Sequence, residues 1–331
     1  MSVDAGGAAP VWPNIIPVAG RRRLRARTGL RDRLDRYAAA LGNLSRPQRA
    51  RVLNCLAQQN EIANLVRCRI DCDALEDLPG LIRAPVLDLF SFSFSLLTDL
   101  GIRDRHYRAI YGALPYKVCP FCGSEFFDDP GAPREDLDHY LASSRYPFAA
   151  ANLRNLSPMG IKCNARYKLA TDILRDSNGR RRRAFDPYAT RQIRVSLLNS
   201  VPFAALGGRA PAWQIDFLPD SPECTTWDEV FSVRERLQRD VLKDCFPRWL
   251  QEFAAWFVRR KGIDDLNDRQ LTASVREHAE NMALQGFMAK DFLRAHVFEM
   301  VHEHCRRRNR RMLDFLRALV TKAVPQPAPF R

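Results

Sequence analysis

The chain has 331 residues, 46% of them hydrophobic and 27% charged, with 52 Lys and Arg against 38 Asp and Glu for a formal net charge of +14. That size and apolar content exclude a disordered chain and allow one large or two modest folded domains. The richest apolar run, APVLDLFSFSFSLLTDLGI, is interrupted by Asp88 and Asp99, so a buried helix is predicted there and not a membrane span of about 18 or more apolar residues.

Residues 1–20 hold Gly6, Gly7, Pro10, Pro13 and Pro17 and read as an irregular arm. They show no signal-peptide pattern, so a cytoplasmic protein with no membrane partner is expected. A helical region follows over 21–114. Its first helix is predicted at 30–42. Ser45 with Pro47 then forms an N-cap signal, and Val52, Leu53, Leu56, Ile62, Leu65 and Val66 carry an apolar stripe to about Arg67. Pro79-Gly80 breaks the chain before the apolar helix at 85–99 and another at 102–112.

Over 115–178 the character changes. Prolines and glycines exclude long helices until Cys163, where CNARYKLATDIL predicts one; short strands are predicted at Tyr116–Val118 and Leu137–Leu141. The C-terminal region, 179–331, starts with IRVSLL and WQIDFL, which alternate as a small antiparallel strand pair near 193–218. Thr226 to Glu229 matches a capping box opening a helix to about Lys243, and further helices are predicted near 246–260, 268–283, 288–305 and 309–323. The end, VPQPAPFR, is proline-rich. The expected class is mainly α with a small central α+β element.

The positive charge is clustered. Residues 1–40 carry eight arginines against three aspartates, and 175–183 five arginines against one aspartate. Residues 302–331 carry seven arginines and Lys322 against Glu303 and Asp314. Such clusters are the footprint of a nucleic-acid binder, with Arg180, Arg181, Arg182 and Arg183 the densest run. A solvated basic surface has the same composition.

The nine cysteines are odd in number and scattered, which argues against a disulfide framework. Most read as small buried hydrophobes, and Cys68 and Cys72 as structural. His302 and Cys305 in HEHC share a helix face but sit beside RRRNRR, where a solvated basic helix is the simpler reading. Cys119 and Cys122 differ: CPFCG is a knuckle whose two thiolates can face one metal ion. Then come EDLDHYLASSRYP with Asp138-His139, Asn155-Leu156, and Cys163-Asn164 with Lys168 four residues on. Alone, an Asp-His pair is more often a local hydrogen bond than a catalytic site. In this order, 16 residues from His139 to Asn155 and nine more to Asn164, the signal is strong.

Over about residues 116–175 this pattern resembles the HNH, or ββα-metal, nucleases. The resemblance implies a β-hairpin with a long loop followed by a helix, and a metal-dependent endonuclease acting on nucleic acid, DNA foremost. It implies His139 as general base and Asn155 as the residue holding the loop that orients it. Asp138 and Asn164 offer oxygen ligands suited to Mg²⁺ or Mn²⁺, and Lys168 and Arg166 would touch phosphate. Asp138 and His139 face opposite sides of a regular strand; a bulge would bring both to one centre. The family often supplies a second Cys-x-x-Cys before its helix. Here Gly160 stands three residues before Cys163, so Cys119, Cys122 and Cys163 make a set one ligand short: either a remote residue completes a structural zinc site, or the loop is held without zinc. Two other classes compete: an inert module gripping nucleic acid through the arginine clusters, and an assembly subunit or homo-oligomer joined through the helical flanks, as in prokaryotic defence nucleases held in check by a partner.

Overall fold

A computed structural model describes residues 11–132, 137–189, 193–203, 211–263, 266–284 and 292–324. The first ten residues of the expected arm, Glu135 and Asp136, the 288–291 start of an expected helix and the proline-rich end from 325 lie outside the described residues. The chain divides into two compact units, residues 1–120 with 127–189, and residues 121–126 with 190–331.

The first unit is built on helices α1 (Val18–Leu24), α2 (Thr28–Gly42), α3 (Arg46–Gln59), α4 (Ile62–Val66), α5 (Gly80–Asp99) and α6 (Ile102–Ala113). Leu30, Tyr37 and Leu41 of α2 fall on one helical face and pack with Ile82, Val86, Leu89 and Leu96 of α5. The α3 start is as expected: Gln48 Oε1 accepts from the Ser45 backbone N–H at 3.0 Å. The predicted continuation to Arg67 is broken at Asn60, whose Nδ2 turns back to Leu56 O at 2.8 Å.

Helix α5 starts at Gly80, five residues before the predicted start, and accommodates Pro85. It is the one described helix long and apolar enough to cross a membrane. Yet it is buried along one face only, and Asp88 on it accepts from Arg33 and Arg36 at 2.8 and 2.6 Å.

The hairpin expected near Asp138 is present. Strand β1 (Leu137–His139) pairs antiparallel with β2 (Leu156–Pro158), with Leu137 opposite Pro158, Asp138 opposite Ser157 and His139 opposite Leu156. Leu137 and Leu156 are buried against Tyr107 of α6, with Phe94 and Leu97 of α5 packed alongside. The hairpin is therefore seated on α5 and α6 by its apolar side. At 116–118 no strand forms; Lys117 O accepts from Phe127 N at 2.8 Å.

In the second unit β3 (Arg194–Ser196) pairs antiparallel with β4 (Asp216–Leu218), as the alternation predicted. Helix α7 (Pro222–Phe231) starts four residues before the predicted capping box. Ser221 is its cap, accepting from Cys224 N at 3.4 Å, while Thr226 is buried inside the helix. Ser232, at φ 48°, ends α7 and leads into α8 (Val233–Arg236) and a wide turn at Leu237–Leu242. Helices α9 (Lys243–Lys261), α10 (Asp268–Leu284), α11 (Arg294–Arg306) and α12 (Arg310–Lys322) complete the unit around buried Trp249, Phe253, Phe257, Phe298 and Leu316.

Candidate active site

The loop from Leu141 to Asn152 joins β1 to β2 and is held from inside by one side chain. Asn155 is fully buried. Its Oδ1 accepts from Leu141 N at 2.7 Å, and its Nδ2 donates to Leu141 O at 3.0 Å and Ala149 O at 3.2 Å. Both ends of the loop are thereby tied to one amide, which satisfies backbone groups that would otherwise be buried unpaired. The next carbonyl, Ala150 O, lies 2.9 Å from His139 Nε2.

Three further attachments fix this loop, and the motif search missed all of them. Gln59 Oε1 accepts from Phe148 N at 3.0 Å, and Asn60 Nδ2 donates to Phe148 O at 3.2 Å. Asn152 Nδ2 donates to Asn60 O at 3.0 Å. The available signal was Gln59 itself, a polar residue four positions after Cys55 and seven after Val52 on an otherwise apolar stripe. Behind the loop, the Tyr146 hydroxyl donates to Asp172 Oδ2 at 2.8 Å, and burial pushes that phenol above its ordinary range. His106 Nε2 and the Tyr188 hydroxyl meet Leu153 O, each at 3.0 Å, on the turn that carries Asn155.

The β1 pairing is regular, with no bulge at Asp138 or His139. The His139 ring lies 4.3 Å from that of Phe94, centroid to centroid, and burial lowers its pKa below the ordinary histidine value. Asp138 meets the wide turn Cys163–Lys168, in which the backbone is wound as a π-helix. Lys168 Nζ stands 2.9 Å from Asp138 Oδ2. The Asn164 amide lies 3.2 and 3.3 Å from the two Asp138 oxygens, and in the orientation that satisfies both of its ends Nδ2 donates to them.

The expected helix running on through Leu174 is replaced by that single turn, closed by Leu169 at φ 48°. A non-glycine residue there is strained. Lys168, expected at phosphate, is instead 1% exposed and paired with Asp138. Arg166 is exposed on the same turn.

Cys119, Cys122 and Cys163 are all buried, and their sulfurs lie within 4.8 Å of one another. The set could bind a metal such as zinc. Gly160 N donates to Cys119 Sγ at 3.3 Å, as thiolate ligands commonly require of a backbone N–H. Glu125 Oε1 lies 3.7 Å from Cys122 Sγ and is also paired with Arg236 at 3.2 Å. Cys305 is buried and burial pushes its thiol up to about 12; the group of three ligands found among the described residues is Cys119, Cys122 and Cys163, and HEHC is not part of it.

The arginine run divides. Arg181 donates to Leu174 O, Leu65 O and Ile70 O at 2.8–3.0 Å and pairs with Asp71 at 3.1 Å. Arg182 donates to Asp172 O. These two side chains are spent inside the fold, which corrects their assignment to nucleic acid. Arg180 and Arg183 are exposed. No protein-family description, curated protein or solved structure matches the chain.

Proposed function

We propose that the hairpin, its loop and the Cys163–Lys168 turn form the centre of an HNH-type endonuclease that hydrolyses phosphodiester bonds, in DNA foremost. The observation that carries this reading is the chain of contacts from buried Asn155 through Ala149 and Ala150 O to His139 Nε2. A carbonyl only accepts, so Nε2 carries the proton and Nδ1 the lone pair. His139 is then held in the tautomer of a general base, and burial keeps it neutral near pH 7.

The donor set at Asp138 fits a hard divalent ion. Asn164, turned over, would present Oδ1 beside the Asp138 carboxylate, as two oxygens sharing a cation do. Asp138 and Asn164 would hold Mg²⁺ or Mn²⁺. Such an ion would stabilise charge on the scissile phosphate and on the leaving oxygen. His139 would take the proton of the attacking water, and exposed Arg166 and Arg180 would meet the backbone phosphates. Cys119, Cys122 and Cys163 would hold a structural zinc.

The test is incubation of purified protein with plasmid, linear duplex, single-stranded DNA and RNA, with Mg²⁺, with Mn²⁺ and with chelator. Metal-dependent cleavage of one of these, abolished in His139→Ala, is expected. No cleavage of any substrate would favour an inert scaffold, a reading that the Lys168–Asp138 pair also suits.

A further inference from the structure

We infer that the Lys168 ammonium is an internal counter-ion that holds the Asp138 carboxylate, and that a divalent cation binds there only by displacing it. The inference rests on the proposed metal site at Asp138 but not on nuclease activity. Its basis is geometric. Lys168 has 1% of its side chain exposed and its Nζ is 2.9 Å from Asp138 Oδ2, while Asp138 is 18% exposed. Beyond this contact, Nζ donates to Leu169 O at 3.2 Å. The side chain therefore reaches inward to the carboxylate and not outward to solvent.

An ammonium already bonded to Asp138 Oδ2 repels a dication drawn to the same carboxylate, so the two compete for it. The Asn164 amide has the same choice, donating Nδ2 to the carboxylate beside the ammonium or offering Oδ1 to a dication. Lysine and amide would therefore exchange together. The turn that carries both is wound wide and ends at strained Leu169, a backbone state frequent at functional sites. Metal loading becomes a competition, set within the chain, between one bonded cation and the free ion.

The test measures Mn²⁺ affinity without nucleic acid, by calorimetry or by the electron-paramagnetic signal of the free ion. Wild type, Lys168→Met, Lys168→Gln and Asp138→Asn are compared. Removing a cation in contact with a carboxylate should tighten Mn²⁺ binding about tenfold or more, and Asp138→Asn should abolish it. Unchanged or weaker affinity in a folded Lys168 variant overturns the inference.

A second measurement needs no substitution. In wild type, acetic anhydride labelling of Lys168, mapped by mass spectrometry, should be low without metal and rise with saturating Mn²⁺. Equal labelling in both conditions overturns it as well. The two readings fail separately. Tighter Mn²⁺ binding in a protein that cleaves nothing would remove only the nuclease, and unaltered affinity in a protein that cleaves would remove only the lysine exchange.

Discussion

Ala150 O can only accept, and its 2.9 Å contact assigns the proton of His139 to Nε2. Burial lowers the His139 pKa below 6.5, so the base is already unprotonated at neutral pH. The rate of any cleavage should rise with pH only on the acid side of 6.5 and be level between about pH 7 and 8. His139→Ala should lower it by about 10²–10⁴-fold with the fold retained; a rate within a few-fold of wild type would remove His139 from the chemistry. Asn155 acts one step back. Its three bonds to loop backbone are buried, so Asn155→Ala should cost about 2–4 kcal/mol, read by urea unfolding, and should lower cleavage by loosening His139. Loss of stability alone, at unchanged turnover, would confine Asn155 to a structural part.

His278 belongs to the scale of elements, where α10 meets α9 and α11. Its ring lies 4.5 Å from Phe298, 5.0 Å from Trp256 and 5.3 Å from Phe253, and neither nitrogen has a hydrogen-bond partner. Desolvation lowers its pKa from 6.5 to about 4. Between those values the unfolded chain binds a proton that the folded chain does not, so stability is lost as pH falls through that window, by roughly 3 kcal/mol in full. His278→Leu should therefore gain more stability at pH 5 than at pH 7.5 in thermal unfolding. Equal gains at both would show that His278 takes up its proton as readily in the folded chain as in the unfolded one. The knuckle offers a second test at this scale. Protein purified without added metal should hold about one zinc per chain by elemental analysis, and Cys122→Ser should lose it. Wild-type protein without zinc would make the three cysteines a buried thiol cluster.

At the scale of the whole molecule the net charge of +14 bears on partners. Clustered arginines attract polyanions only where their heads reach solvent. Arg33 and Arg36 are paired with Asp88, Arg306 and Arg307 with Glu303, and Arg310 and Arg317 with Asp268. Each of these groups sets two arginines against one carboxylate, so each keeps a net charge of +1 and the excess stays at the surface. Neutralising Arg180 and Arg183 together should lower the salt dependence of nucleic-acid binding by up to about two in slope. Arg181→Ala should leave that slope alone and cost about 1–3 kcal/mol of stability, because Ile70 O loses the guanidinium while Leu65 O, Leu174 O and Asp71 keep Cys68 N, Arg182 N and Arg175. An unchanged slope in the first variant would make the run a solvated face.

Local signals decided much of this protein from sequence. The Ser45 cap, the alternation in β3 and β4 and the Cys-x-x-Cys spacing each act over a few residues, where periodicity and turn chemistry prevail. The mainly helical class followed from such local readings, whereas the convergence of Cys163 with Cys119 and Cys122 was implied by the resemblance to the HNH nucleases. Tertiary structure decided what those signals could not carry. The CNARYKLATDIL segment has helical periodicity, yet it stops at Lys168, where the side chain turns inward to Asp138, 30 residues earlier in the chain. The loop anchors Gln59 and Asn60 lie on a different helix altogether. Arg181 reads in sequence as one of four like arginines, and only the positions of Leu65 O, Ile70 O and Asp71 make it structural. Each of these outcomes depends on partners far away in sequence, brought near by the burial of α5, α6 and the hairpin on a common core.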